Sequence, residues 1–199
     1  VGEPTGMQAA AGERGLVVLD CTAHGKSGHA ARGEGVNALY IALEDIARLR
    51  SFRFERESEL LGPVGIAVTQ IEAGTQHNVV PDTCRFVADI RTTDAYTNEE
   101  TVEILRRALR SEVTPRSTRI RASALNAAHP LARATAATGR ESYVSPTTSD
   151  MALMPFPSLK MGPGQSSRSH TADEFVLLSE IEEGIGIYEK FIKQLAEIL

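Results

Sequence analysis

Two side chains that can bind a metal ion, Glu3 and His170, lie far apart in the sequence, each in a segment that restricts its backbone. Glu3 precedes Pro4, and a residue before proline is held extended, so the carboxylate should project from a strand end. A free imidazole has a pKa of about 6.5 and is largely neutral near pH 7, the form that can bind a metal ion. Carboxylate oxygen and imidazole nitrogen are both Zn²⁺ ligands. The alternatives are a solvated acid and a solvated loop histidine.

Three further polar residues, His29, Asn78 and Arg91, could act on a substrate. An imidazole N–H can stabilise a developing oxyanion, and an asparagine amide can bind a substrate carbonyl or carboxylate. The planar fork of an arginine binds a carboxylate through two hydrogen bonds. The structural alternatives are a turn histidine, a turn-stabilising asparagine and a strand-end arginine on a solvated edge.

Two glycines, Gly162 and Gly164, stand in the run Lys160-Met161-Gly162-Pro163-Gly164. Glycine lets a backbone approach a ligand closely because it has no side chain. The nearby run Thr148-Ser149-Asp150 precedes a predicted turn of helix. Helix capping is its simplest role, and contact with a substrate is the alternative.

Hydrophobic periodicity predicts the elements that must position these residues. In the middle of the chain it predicts strands over 15–23, 64–73, 83–91 and 117–125, with helices over 37–50 and 97–109. This βαββαβ order is the ferredoxin-like split arrangement. Further on it predicts a helix over 130–138, a helical turn over 147–154, a strand over 156–161 and a final helix capped by Ser179.

The pattern therefore predicts a mixed fold, α+β or α/β, with two domains. Residues 14–126 form an inserted unit, and residues 1–13 together with 127–199 form an α/β layer. These flanks supply few elements, so their layer should leave apolar surface uncovered.

Composition and charge limit the classes of partner that we expect for this chain. The chain has 199 residues, 42% hydrophobic and 24% charged, which is ordinary for globular proteins and enough for one or two cores. The net charge is -5, and the longest basic run is the pair Arg106-Arg107. This charge pattern argues against a nucleic-acid partner and favours small-molecule ligands. There is no signal peptide and no apolar run that could span a bilayer, so we expect no membrane partner. Cys21 and Cys84 predict buried free thiols in a reducing cytoplasm.

Two motifs together resemble a known enzyme family. They are Gly2-Glu3-Pro4-Thr5, and Lys160-Met161-Gly162-Pro163-Gly164 followed by Arg168-Ser169-His170-Thr171-Ala172-Asp173-Glu174. In this order they resemble the co-catalytic metallohydrolases that include acetylornithine deacetylase, succinyl-diaminopimelate desuccinylase and glutamate carboxypeptidase. The resemblance spans nearly the whole chain but covers only the back half of the family's architecture.

The resemblance implies an α/β metallohydrolase catalytic domain with an inserted ferredoxin-like dimerisation (lid) domain. It implies two divalent metal ions, zinc with cobalt as the alternative, and makes Glu3 and His170 metal ligands. It implies that His29 reaches into the active site of a partner subunit and stabilises the oxyanion. The substrate-binding residues that it implies are Asn78, Arg91, Gly162 and Gly164.

The activity implied by the resemblance is attack of a metal-activated water on the amide of an N-acyl amino acid. The closest branch is acetylornithine deacetylase, an enzyme of arginine biosynthesis. Succinyl-diaminopimelate desuccinylase, a carboxypeptidase and an aminoacylase are the alternatives. A dimerisation module without activity is the alternative of another class.

The family's His-x-Asp motif, bridging aspartate and catalytic glutamate pair have no counterpart in this sequence, which starts at Val1. We therefore expect the C-terminal portion of a longer cytoplasmic enzyme, inactive alone and homodimeric through residues 14–126.

Overall fold

A computed structural model describes residues 1–199 and contains nine strands, four α-helices and three short 3-10 turns. The strands and α-helices are, in chain order, β1 (Ala9–Glu13), β2 (Gly15–His24), β3 (Gly28–His29), α1 (Ala38–Ser51), β4 (Gly65–Ala73), β5 (Val79–Val80), β6 (Thr83–Thr92), α2 (Asn98–Ala108), β7 (Glu112–Pro115), β8 (Ser123–Ala124), α3 (Pro130–Ala137), β9 (Ser142–Ser145) and α4 (Leu178–Ile198).

The chain divides into two compact units. The first comprises Val1–Arg14, Glu59–Leu61 and Ala122–Leu199, and the second comprises Gly15–Ser58 and Gly62–Arg121. None of the helices is both long and apolar enough to cross a membrane.

The second unit contains a four-stranded antiparallel sheet in the order β4-β6-β2-β7. Every second side chain of β2 and β6 is buried, including those of Leu19 and Phe86, and α1 and α2 pack on that face. Strand order and alternation confirm the predicted ferredoxin-like βαββαβ fold. The Thr97 hydroxyl and the Glu100 carboxylate form a capping box at the start of α2.

The last strand of this unit differs from the prediction. It is β7, Glu112–Pro115, and of the predicted strand over 117–125 only Ser123–Ala124 is a strand, β8, which pairs with β1 in the first unit. The side-chain amide of Asn98, in the first turn of α2, donates to the carbonyl oxygens of Thr118 and Ile120 at 2.9 and 2.8 Å. The Ile120 carbonyl also accepts the N–H of Leu16 at 3.0 Å, in a single bridge to β2, so the segment meets the sheet at one residue and the Asn98 amide binds both carbonyls.

The first unit is built around a three-stranded sheet in the order β8-β1-β9. The central strand β1 is fully buried, antiparallel to β8 and parallel to β9. A small apolar core lies between this sheet and α4, with Met7, Ala9, Met161 and Ile187 among its buried members.

Two predictions in this unit were wrong. The expected strand over 156–161 is reduced to a single bridge between Lys160 and Ala10. Ser179 lies inside α4 and does not cap it. The helix begins at Leu178, and the carboxylate of Glu180 accepts the backbone N–H of Leu177 at 2.9 Å, which is the bond that the third helical residue supplies in a capping box.

Candidate metal centre and substrate residues

The segment that carries Glu3 runs beside the segment that carries Gly162. The amino group of Val1 donates to the carbonyl oxygen of Leu159 at 2.7 Å, and the N–H of Met161 donates to the carbonyl oxygen of Val1 at 2.9 Å. A Cβ on residue 162 would lie 2.6 Å from the Glu3 carbonyl oxygen, a distance that a side chain does not allow. Glycine at 162 therefore lets the Glu3 backbone pack directly against this segment.

The loop beyond Gly162 is tied to the same N-terminal segment. The Thr5 hydroxyl accepts the N–H of Gly162 at 3.1 Å and donates to the carbonyl oxygen of Gln8 at 2.7 Å. Gly164 has a left-handed backbone (φ 86°), and its carbonyl oxygen accepts the N–H of Gly6 at 2.6 Å. Both predicted substrate-binding glycines thus position the loop that leads to His170.

His170 has a strained backbone, with φ at 60° in the left-handed region. Its N–H donates to the Glu174 carboxylate at 3.2 Å. Arg168 donates to Glu180 at 2.7 Å, and its guanidinium lies 4.7 Å from the ring centre of Phe175. The hydrogen bond from Arg168 holds the pKa of Glu180 below its ordinary value. These contacts anchor the exposed histidine to the start of α4.

Glu3 and His170 line one cavity of about 310 Å³ within the first unit. Its other walls are formed by Pro4, Thr5, Tyr143, Ser145, Pro146, Thr147, Thr148, Lys160, Ser166 and Ser169. The Glu3 carboxylate and the His170 imidazole take part in none of the hydrogen bonds or ion pairs of the structure. One oxygen and one nitrogen donor suit Zn²⁺. No group of three or more His, Cys, Asp and Glu side chains that could hold a metal ion occurs in residues 1–199.

Sequence reasoning missed a buried ion pair at this cavity. Lys160 donates to Glu13 at 3.1 Å, and the two residues are 2% and 0% exposed. A charged residue at the end of each of two apolar segments was the available signal, but nothing in the sequence indicates that they pair.

Ser149 caps a 3-10 turn, as predicted, while Thr148 faces the cavity.

His29 and Asn78 lie side by side in the second unit. Strands β3 and β5 pair, with His29 opposite Val79, and the N–H of Ala30 donates to the carbonyl oxygen of Asn78 at 3.1 Å. The His29 Nδ1 accepts the N–H of Ala31 at 3.2 Å. In a neutral imidazole the proton therefore resides on Nε2, which makes the exposed edge of the ring a donor.

Arg91 lies elsewhere in the second unit. It lies near the end of β6, eight residue steps along the strand from Thr83, which is about 26 Å at the usual rise of a strand. Thr83 is the end of β6 that lies next to β5 in sequence. Its Nε and Nη2 donate to the two oxygens of Asp89 at 2.7 and 3.1 Å. The structure therefore brings His29 and Asn78 together and leaves Arg91 apart, with its fork already occupied.

The sequence of residues 11–117 matches the M20 family description "peptidase dimerisation domain", over more than half of the chain. The chain belongs to this M20 family. Membership confirms the resemblance drawn from the two motifs. An acetylornithine deacetylase from Aliivibrio salmonicida is 28% identical over 215 residues, covering 96% of this chain and 56% of the relative. A succinyl-diaminopimelate desuccinylase from Paracoccus denitrificans is 33% identical over 113 residues, covering 53% of this chain and 30% of the relative.

Solved structures of M20 enzymes share the fold. The aminopeptidase PepT from Bacillus cereus superposes with a TM-score of 0.74 at 18% identity, covering 98% of this chain and 56% of that one. The YXEP protein from Bacillus subtilis, described as a dinuclear metal binding peptidase of the M20 family, gives a TM-score of 0.62 at 18% identity over 99% of this chain and 52% of that one. The chain thus spans about half the length of these relatives.

Proposed function

We propose that this chain is the C-terminal portion of a metal-dependent amidohydrolase that deacylates N-acyl amino acids. The observation that carries the proposal is the shared cavity of Glu3 and His170 in a chain of the M20 family. Zinc is the metal expected from the donor types, with cobalt as the alternative. Two of the ligands come from this chain, and the remaining ligands of a two-ion site come from protein outside these residues.

Two bound divalent ions supply a water of lowered pKa and polarise the amide oxygen. Glu3 and His170 hold their share of this site, and Gly162 sets the position of Glu3. Gly164 keeps the backbone of the substrate-facing loop in its left-handed turn. The chain's contribution to catalysis on this side is therefore placement of ligands by a rigid backbone.

His29 and Asn78 serve the active site of a partner subunit in this proposal. The Nε2–H of His29 donates to the oxygen that becomes negative as the amide carbon turns tetrahedral, and the Asn78 amide binds a substrate carbonyl or carboxylate. Arg91 can bind a substrate carboxylate only if its fork leaves Asp89. Its substrate role therefore has the weakest geometric support of the four substrate-binding proposals.

N-acetylornithine is the substrate we propose first, because relatives named acetylornithine deacetylase match along 96% of the chain. This assigns the protein to arginine biosynthesis and to the cytoplasm, where two free cysteines stay reduced. N-succinyl-diaminopimelate is the alternative suggested by the 33% identical relative. Peptides and other N-acyl amino acids remain alternatives within the family.

The second unit supplies the homodimer contact in this proposal. Strand β4 pairs only with β6, so nine residues of it form an open sheet edge. Ile71 on that strand and Tyr40 and Leu43 on α1 are 49%, 64% and 48% exposed. An open edge beside exposed apolar side chains suits a two-fold contact between identical chains.

A dimerisation module without chemistry is the competing function. Leu43→Lys and Ile71→Lys should convert a dimer to a monomer in light scattering, while Ile192→Lys, on the exposed face of α4, should not. Loss of the dimer alone fits both functions. The metal and turnover experiments separate them.

Zn²⁺ binding tests the metal proposal directly. We expect Zn²⁺ to shift the ring signals of His170 in NMR spectra, and Glu3→Gln and His170→Asn each to weaken Zn²⁺ binding at least tenfold in a calorimetric titration. His77→Asn, which changes a histidine in a turn of the other unit, is the control. A Zn²⁺ response that does not depend on Glu3 or His170 contradicts the proposal.

Turnover tests the substrate. We expect the 199-residue chain alone to hydrolyse none of N-acetylornithine, N-succinyl-diaminopimelate or a dipeptide with Zn²⁺ or Co²⁺ added. The complete enzyme should prefer N-acetylornithine. In that enzyme His29→Ala should abolish turnover, and mixed dimers with a His170→Ala subunit should regain part of it. Absence of complementation would count against a site shared between subunits.

A further inference from the structure

The Glu13–Lys160 pair is the most buried charged contact of the first unit, and the proposed chemistry does not use it. A buried ion pair loses hydration on both partners, and apolar residues often replace it without loss of stability. Its presence at a cavity wall therefore calls for a role beyond holding the fold.

All three donors of the Lys160 ammonium are used. They reach Glu13 at 3.1 Å, the Ser145 hydroxyl at 2.7 Å and the Thr147 carbonyl oxygen at 3.0 Å. Glu13 in turn accepts the N–H of Ser149 at 3.1 Å and its hydroxyl at 2.9 Å. One ion pair thus fastens both ends of the loop over 145–149 to strand β1.

That loop is a wall of the cavity that also contains Glu3 and His170, and Lys160 itself reaches the cavity. An unpaired ammonium in this wall would repel a cation held by those two residues. The Glu13 carboxylate cancels its charge. The pair therefore fixes the shape of the wall and keeps it electrically neutral.

We propose that Glu13 and Lys160 are positioning residues, which hold the 145–149 loop as a neutral wall of the candidate metal cavity. This inference rests on the proposed metal site for its functional consequence. It concerns residues that do not themselves bind metal or substrate.

Three variants of the 199-residue chain test it: Glu13→Gln, Lys160→Met, and both together. Zn²⁺ affinity is read from the His170 ring signals, and loop order from hydrogen exchange of the amides of residues 147–149. Gln can accept the Ser149 N–H through Oε1 and donate to the Ser149 hydroxyl through Nε2, so the double variant removes both charges with little change of shape. Thermal unfolding of each variant shows how much of any change is general destabilisation.

The two single variants should act in opposite directions. Glu13→Gln leaves an ammonium in the wall and should weaken Zn²⁺ binding roughly tenfold, the order of magnitude for one unit charge near a bound cation in a partly screened site. Lys160→Met leaves an unpaired carboxylate in the wall. This variant should bind Zn²⁺ at least as well as the unchanged chain, although the amides of residues 147–149 should exchange their hydrogens faster. The double variant should return to within about threefold of the original affinity.

Equal weakening by both single variants, in proportion to lost stability, would overturn the inference. If the unchanged chain gives no Zn²⁺ response that depends on Glu3 and His170, the proposed function fails. The positioning role is then decided by exchange alone: it stands if Lys160→Met accelerates exchange of residues 147–149 selectively, and it fails if exchange there is unchanged.

Discussion

Gly162 and Glu3 lie in backbone contact, since a Cβ at residue 162 would sit 2.6 Å from the carbonyl oxygen and 3.0 Å from the nitrogen of Glu3. Gly162→Ala should therefore push the Glu3 segment away. We expect a loss of about 1–3 kcal/mol in the free energy of unfolding, together with weaker Zn²⁺ binding. Urea unfolding and the Zn²⁺ titration measure the two effects.

Gly186 provides the matched control for this change. It lies in α4 with open space where a Cβ would be. Gly186→Ala should raise the free energy of unfolding by about 0.5–1 kcal/mol, because alanine favours a helix over glycine. A Gly162→Ala protein as stable as the Gly186→Ala protein would show that the contact with Glu3 tolerates a side chain.

The left-handed backbone of His170 predicts an unusual response to glycine. That conformation costs an ordinary residue about 1–2 kcal/mol, which glycine does not incur. His170→Gly should therefore be at least as stable as the unchanged chain in urea unfolding, while it loses Zn²⁺ binding. His77→Gly, at an exposed turn position without positive φ, should lower stability by about 1 kcal/mol. Equal losses in the two variants would argue against strain at His170.

The ion pair between Arg168 and Glu180 predicts a pH dependence. Hydrogen bonding by Arg168 lowers the pKa of Glu180 from its ordinary 4.5 in the folded chain. The pair should therefore stabilise the fold above pH 4.5 and lose this contribution as the pH falls through the lowered pKa. The stability difference between the unchanged chain and Glu180→Gln should shrink between pH 6 and pH 3, as measured by urea unfolding. Glu182→Gln, an exposed change on the same helix, should show no such trend.

Burial predicts that neither cysteine reacts in the folded chain. Desolvation, with smaller contributions from the charges of Asp45 and Asp20, raises the pKa of Cys21 to about 12, and desolvation also raises that of Cys84. The thiolate is the reactive form, so iodoacetamide at pH 8 should label neither thiol until the chain unfolds. Mass spectrometry across a urea series follows this directly. Labelling that precedes the unfolding transition would show that the second unit opens locally.

The fold of the second unit was predictable because apolar and polar side chains alternate along its core strands. Residues such as Leu19 and Phe86 recur at every second position, and Thr97 with Glu100 marks the start of a helix. Strand β1 was missed because small residues, Ala-Ala-Ala-Gly, carry no such alternation. Its burial depends on partners far along the chain.

The candidate site was predictable only in part. Glu3 and His170 stand in recognisable motifs, and the structure places both at one cavity. The Glu13–Lys160 pair joins residues separated by 147 positions, and a sequence gives no register for such a contact. By contrast, Asp89 and Arg91 stand two residues apart on one predicted strand and share a face, so the sequence offered this pairing as an alternative to substrate binding.

Strand β1 pairs through Gly12 with Ala124 in β8, and the whole of the second unit lies between these two residues in sequence. During synthesis β1 emerges before β8 and β9, and it can pair with neither of them until the intervening residues have been made. The second unit, whose pairings are all internal, can fold during this wait. We therefore expect the slow step in forming the candidate metal cavity to be closure of this long loop, which a folded domain has already shortened.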